Sequence, residues 1–157
     1  GTTAIQANDL VGRKTARDGG QTAKGIAAQV AETEAALVAS GSAQALAVAK
    51  RLKAAREAFL DVVDFVAGKT KAEPNAVFAG SVPYLMLAGN LVAGWQLARS
   101  LRVAEEQLAA GVDTAFMQAK IATARFYAEH ILVRAPAQRD AIVEGAASVT
   151  ALALDAF

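Results

Sequence analysis

Apolar residues recur at helical intervals along nearly the whole chain. From Gln21 to Ala39, Ile26, Val30 and Leu37 form one stripe with Glu32 and Glu34 off it, and Ser40-Gly41-Ser42 supplies a stop followed by an N-cap. From Ala43 to Ala67, Leu46, Ala49, Leu52, Phe59, Val63 and Val66 make a second stripe. Lys50, Lys53, Glu57, Asp61 and Asp64 occupy its other faces, and the helix is expected to end near Gly68. Lys69 to Pro74 reads as a loop, with Asn75 capping a long third helix that runs to about Ala110. Pro83 lies inside that helix, lacks an amide donor and clashes with the Ala79 carbonyl, which predicts a kink. Gly111 ends the helix, Asp113 caps a fourth through about Arg134, and Pro136 opens a fifth that runs to the C-terminus. The pattern predicts an all-α, up-and-down bundle of four main helices after a short N-terminal helical segment.

That opening segment, Gly1 to Arg13, reads as the continuation of a helix cut open in its middle, because Ile5, Leu10 and Val11 already stand at near-helical spacing. Thr15 to Gly20 breaks the periodicity, and Asp18-Gly19-Gly20 is the clearest punctuation in the chain. A domain boundary is expected there, between residues 1–17 and residues 21–157.

No charged residue occurs between Glu73 and Arg99, and Val82 to Ala98 is nearly continuous apolar sequence. At about 1.5 Å per residue this length raises the question of a membrane span over Val77 to Ala98. Ser81, Pro83, Asn90 and Gln96 interrupt it, and the other helices are amphipathic in the soluble style. The reading taken is a central helix buried on most sides. Gly80, Gly89 and Gly94 would admit close helix neighbours, and Asn90 would need a hydrogen-bond partner.

Composition narrows the class without naming a function. The chain has 157 residues, the size of one domain able to bury a core without staples. Alanine makes up roughly a quarter of it, a bias toward helix. A net charge of +1 with interleaved signs points to no nucleic acid and no charged membrane surface. The absence of cysteine excludes a disulfide framework and thiolate metal sites and fits a cytoplasmic protein. No basic region leads into an apolar core, so no secretory signal is read.

Candidate chemistry is sparse. His130 is the only histidine, and its neighbour Glu129 diverges from it by about a hundred degrees around a helix, so the pair suits neither one metal nor one proton relay. No metal-ligand spacing is present. Asp61 and Asp64 share a helix face and read as a solvated face rather than a carboxylate pair. Gly19-Gly20-Gln21-Thr22-Ala23-Lys24-Gly25 has the wrong order for a phosphate loop, and no strand precedes it.

The opening residues resemble the flavin-side motif of acyl-CoA dehydrogenases, a catalytic Glu followed by Gly-Thr, two variable residues and Ile-Gln. Gly1, Thr2, Ile5 and Gln6 fill that pattern, and the Glu would be the residue before Gly1. The continuation Asp9-Leu10-Val11-Gly12-Arg13-Lys14 is similar to a subgroup of the family that includes the 3-methylmercaptopropionyl-CoA dehydrogenases. Ala79 to Leu85, Gly94-Trp95 and Lys120 to His130 resemble the extra C-terminal helical domain of that subgroup.

The resemblance implies a C-terminal fragment of an FAD-dependent enzyme that converts an acyl-CoA thioester to the enoyl-CoA. It implies no catalytic residue within the chain, Gly1, Thr2 and Gln6 beside the flavin cofactor, and no retention of FAD by the fragment. Ala4 stands where the family often carries an acidic or amide residue, which limits further cofactor contacts from this helix. Implied partners are the remaining catalytic domains of the parent chain, a homo-oligomer and an electron-transfer protein. Residues 1–17 would be the tail of the catalytic helical domain and residues 21–157 a noncatalytic extension. Part of the third helix, or the helix carrying Phe116, Phe126 and Tyr127, is expected to pack on the catalytic domains. The competing reading is an independent helical interaction module.

Overall fold

Each periodic stretch folds as helix because its apolar positions find a common core and its polar ones reach water. The computed structural model describes residues 1–149 and 151–156, and no strand occurs among them. The first helix, α1 (Thr3–Asp9), continues without interruption into a π-helical stretch, Leu10–Ala16. Then come α2 (Gln21–Ser40), α3 (Ala43–Lys69), α4 (Pro74–Ala79), α5 (Ser81–Ala109) and α6 (Thr114–His130). A 3-10 turn, Leu132–Arg134, leads to α7 (Ala135–Val143), followed by α8 (Ala146–Val149) and a last 3-10 turn, Leu154–Ala156.

The long helices α2, α3, α5 and α6 form the expected bundle, with α3 at its centre. It buries Val48, Leu52, Phe59, Val62, Val63 and Val66 against α2, α5, α6 and α7. Burying each such side chain contributes about 1.5–3 kcal/mol. Leu46, expected on that stripe, is exposed. The α2–α3 junction follows the sequence reading: Gly41 takes φ 71°, and Ser42 Oγ accepts from the Ala45 amide at 2.9 Å.

The opening segment shares this core. Ala7 and Val11 are fully buried, and Thr15, placed by sequence in the break, is instead the last buried residue of the helix. Its hydroxyl lies 2.9 Å from that of Tyr84 on α5, whose ring stacks on Phe59 at 6.0 Å between centroids. The chain turns only at Arg17 to Gly20, where Gly19 and Gly20 have φ of 64° and 80°. A β-carbon on Gly20 would come within 2.6 Å of Val63 Cγ1, so both the turn and the packing require glycine.

Five expectations along the second half are corrected. The third helix is not one kinked rod: it breaks at Gly80 into α4 and α5, with Pro83 in the first turn of α5, where its missing amide breaks no helical bond. Pro74, rather than a capping Asn75, opens α4. Asp113 precedes α6 but makes no side-chain cap, because its φ of 40° replaces the extended backbone from which a cap side chain reaches the first-turn amides. The fourth helix ends at His130 rather than Arg134. The fifth ends at Val143, and Gly145 separates it from α8 instead of one helix reaching the C-terminus.

Among the described residues no helix is long and apolar enough to cross a membrane. The uncharged stretch buries Tyr84, Leu87, Leu91, Gly94 and Ala98, while Val82, Met86 and Val92 are exposed, so it is covered on one side rather than on most. Two of its three glycines serve close packing: a β-carbon on Gly80 would lie 2.8 Å from Ile142 Cγ2, and one on Gly94 would lie 2.7 Å from Leu132 Cδ1. Gly89 meets nothing within 4 Å. Asn90 is half-buried, and its carbonyl oxygen accepts from the Tyr127 hydroxyl at 3.3 Å.

Candidate functional site

Gly1 and Thr2 precede α1, Gln6 lies in it one turn beyond Thr2, and all three are exposed. The Gln6 amide nitrogen donates to Thr2 Oγ1 at 3.5 Å, and the Gln6 backbone amide donates to the Thr2 carbonyl at 2.9 Å. Thr2 Oγ1 caps no backbone amide. Ile5 beside them is 70% exposed. The inner face of the segment is fixed by Ala7, Val11 and the Thr15–Tyr84 contact, so its outer end is held in place although nothing covers it. Burial raises the Tyr84 pKa, against the lowering effect of the Thr15 hydrogen bond, so the phenol stays protonated. A hydroxyl and a side-chain amide are donors that suit the phosphate edge of a dinucleotide cofactor. They form one open edge and enclose no ring.

A second feature was not legible in the sequence. The C-terminal part of α2, the start of α3, the C-terminal half of α5 and α6 enclose an open groove of about 1300 Å³. Ala36, Ala39, Leu108, Ala109, Ile121 and Phe126 give it an apolar floor. Its rim is tied by polar contacts: Ser42 Oγ donates to Glu105 at 2.6 Å, and Arg125 bonds Gln44 at 2.5 Å and pairs with Glu129. Phe126 is 59% exposed and stacks on His130 with centroids 4.5 Å apart. His130 thus lines the groove through its stacking on the Phe126 ring. Ala115, Ala119, Ala122 and Phe126 follow a four-three-four spacing on α6, a small apolar stripe that does not by itself show the groove.

The remaining candidates are engaged structurally. Asp61 accepts from Arg139 Nε at 3.1 Å, and Asp64 pairs with Lys24 at 2.7 Å, so neither carboxylate faces the other as a partner. Hydrogen bonds to Asp140, Glu144 and Asp61 raise the Arg139 pKa above the ordinary arginine value. Lys24, in the stretch with a phosphate-loop look, is spent on that bridge to α3. Among the described residues no group of three or more His, Cys, Asp or Glu side chains is arranged to hold a metal.

Sequence reasoning placed Glu34 outside the core, and the structure corrects this. Glu34 is buried and takes a two-pronged contact from Arg56, 2.8 Å from Nε and 3.0 Å from Nη2. The hydrogen bonds to Glu34 raise the Arg56 pKa. Next to it, Trp95 Nε1 donates to Thr33 Oγ1 at 2.7 Å, which fixes α5 to α2. No pattern in the sequence pairs residues 22 apart on successive helices.

Comparisons with known proteins converge on one family. The family model described as "Acetyl-CoA dehydrogenase C-terminal like" matches residues 22–153. The 3-methylmercaptopropionyl-CoA dehydrogenase of Ruegeria pomeroyi is 50% identical over 144 residues, 92% of this chain and 24% of that protein. The broad-specificity linear acyl-CoA dehydrogenase of Mycobacterium tuberculosis is 33% identical over 158 aligned positions, 90% of this chain and again 24% of that protein. The chain therefore spans about a quarter of the length of these relatives. With an all-α bundle as its fold and the family model covering most of its length, the chain belongs to the acyl-CoA dehydrogenase family, as its C-terminal-like helical segment.

Proposed function

We propose that this chain is the C-terminal part of an FAD-dependent acyl-CoA dehydrogenase that works in the cytoplasm, forms a homo-oligomer and passes its electrons to an electron-transfer protein. The observation that carries the reading is 50% identity across 92% of the chain to one such dehydrogenase. FAD supplies the hydride acceptor for α,β-dehydrogenation of the thioester, and the α-proton is taken by a Glu preceding Gly1. Residues 1–17 close the catalytic helical domain, and residues 21–157 are an extension without a catalytic residue.

The roles left to this chain are positioning and cover. Thr2 offers its hydroxyl to the phosphate edge of the cofactor. Gln6 orients the Thr2 hydroxyl through their 3.5 Å contact. The buried inner face of the same helix ties that edge to α3 and α5, so the extension stiffens the cofactor-side turn from behind. The groove under Phe126 docks on the catalytic domains, which removes its exposed apolar floor from water.

The test is made in the complete polypeptide. The purified protein should carry flavin absorbance and bleach on addition of an acyl-CoA, and Thr2→Val should lower flavin retention about tenfold while leaving the helix content unchanged. A complete polypeptide that purifies without flavin and fails to take it up on reconstitution overturns the assignment.

A further inference from the structure

The opening helix keeps its core face by widening. Its buried residues, Ala7, Val11 and Thr15, are spaced by four. A step of four overshoots the α-helical turn by about forty degrees, so an unbroken α-helix would fan the three around its axis by about eighty degrees. The π-helical stretch Leu10–Ala16 closes its bonds over five residues instead of four and brings Val11 and Thr15 back toward one line against α3 and α5. Gly1 to Gln6 lie beyond the last buried position and are all exposed, so the rotation of that end is set further along the helix.

Thr15 uses its hydroxyl differently from other helical threonines. Thr33 and Thr123 each donate to the carbonyl four residues back, at 3.4 and 2.8 Å. Thr15 instead pairs its hydroxyl with that of Tyr84 at 2.9 Å, in a buried contact between residues 69 apart. Ala7 and Val11 make apolar contacts, which have no direction, whereas a hydroxyl pair has one. Tyr84 is 1% exposed and its ring stacks on Phe59, so the phenol is a fixed point against which the opening helix is set.

We propose that Tyr84 is a positioning residue for the cofactor edge: its hydroxyl, bonded to Thr15, locks the wide stretch and so sets the direction in which Thr2 and Gln6 project. That role rests on the reading above, in which these two residues border the flavin. Without the phenolic hydroxyl, Thr15 turns to the Val11 carbonyl as Thr33 and Thr123 turn to theirs, and the stretch relaxes toward the α-helical turn. Taking out the extra residue rotates the segment before it by up to about a hundred degrees, which carries Thr2 and Gln6 off the face that they now present.

The test uses the complete polypeptide loaded with flavin. Tyr84→Phe keeps the ring and its stacking on Phe59 and removes only the hydroxyl. It should raise the flavin dissociation constant at least about fivefold, shift the flavin midpoint potential and speed amide exchange over residues 10–16 about tenfold, with unchanged helical circular dichroism. Thr15→Val should do the same, and Thr15→Ser, which keeps a hydroxyl, should restore flavin binding to the wild-type value. Tyr127→Phe is the control: it removes a tyrosine hydroxyl that also bonds α5, at the Asn90 carbonyl rather than at Thr15, and should leave flavin affinity and potential unchanged.

Three outcomes overturn the proposal: a Tyr84→Phe protein with wild-type flavin affinity and potential, a Thr15→Ser protein as impaired as Thr15→Val, or a Tyr127→Phe protein as impaired as Tyr84→Phe, which would mark a general loss of stability. Absence of flavin from the wild-type polypeptide would instead sink the enzyme assignment. Amide exchange over residues 10–16 in Tyr84→Phe would then still show whether the hydroxyl pair locks the stretch, and unchanged exchange would overturn that as well.

Discussion

α3 and α6 are both amphipathic helices of alanine-rich composition, yet the bundle uses them in opposite ways. α3 has neighbours on most sides and buries ten residues, among them Leu52, Val62 and Val63 with no exposed surface. α6 buries only Ala124 and Ala128 and leaves Phe116 and Phe126 more than half exposed. Amphipathicity thus tells that a helix has an apolar side without telling how much of it the same chain will cover. What separates the two is how deep the large side chains go: on α3 they are buried against neighbouring helices, and on α6 only Ala124 and Ala128 are buried while Ile121 and Tyr127 pack partly against the core. The sharpest way to break this comparison is truncation on each helix. Leu52→Ala should destabilise the chain by about 3 kcal/mol, as a cavity in a closed core does. Phe126→Ala should change stability by less than about 0.5 kcal/mol. Urea unfolding followed by Trp95 fluorescence measures both. A Phe126→Ala loss near that of Leu52→Ala would mean that the groove closes in solution.

The ion pairs divide along the same line. Glu34 and Arg56 keep side-chain exposures of 10% and 17%, whereas Lys53 and Glu57, one turn away on α3, keep 62% and 56% at 3.9 Å. Glu34→Ala removes one partner of a mostly buried pair and leaves a guanidinium without its acceptor. The expected loss is about 2 kcal/mol, below the range for a fully dry pair because some water still reaches both groups. Glu57→Ala should lie within about 0.5 kcal/mol of wild type. Thermal unfolding of the two variants side by side checks the contrast, and equal losses would contradict it.

The elements that were legible in the sequence are those governed by neighbours in the chain. Gly41 and Ser42 end one helix and cap the next through contacts within four residues, so local reading sufficed. The break at Gly80 was read as a kink because Pro83 was visible but Ile142, against which Gly80 packs, lies 62 positions away. The reading of Glu34 as outward failed for a similar reason, since a carboxylate is buried only when a partner from another helix satisfies it. The opening motif is a spacing in the sequence, and of its residues Thr2 and Gln6 are joined by a side-chain contact. The groove under Phe126 was not, because α2, α3, α5 and α6 all contribute to it and none of them shows it alone.

The turn between the opening helix and α2 sits at the margin between these two regimes, and it yields the smallest effect. Asp18 accepts from the Thr22 hydroxyl at 2.6 Å, from the Thr22 amide at 3.0 Å and from the Gly20 amide at 2.9 Å. The Thr22 hydroxyl contact and then the Thr22 amide hold its pKa below the ordinary 3.8. All three donors prefer the carboxylate, so folding favours the charged form. A depressed folded-state pKa gives stability that is complete above 3.8 and fades as pH falls through the lower folded value. Because the group is fully exposed, the contribution is a small shift in unfolding midpoint rather than loss of the fold. Asp18→Asn keeps an acceptor but cannot titrate, so its midpoint, compared with wild type from about pH 5 to about pH 3, isolates the effect from other carboxylates. Wild type should be the more stable at the upper end, and the gap should narrow toward the lower end. A gap that stays constant on acidification would mean that the turn is held by the buried Thr15 and the glycine geometry alone, which would place it with the α3 core rather than with the exposed rim.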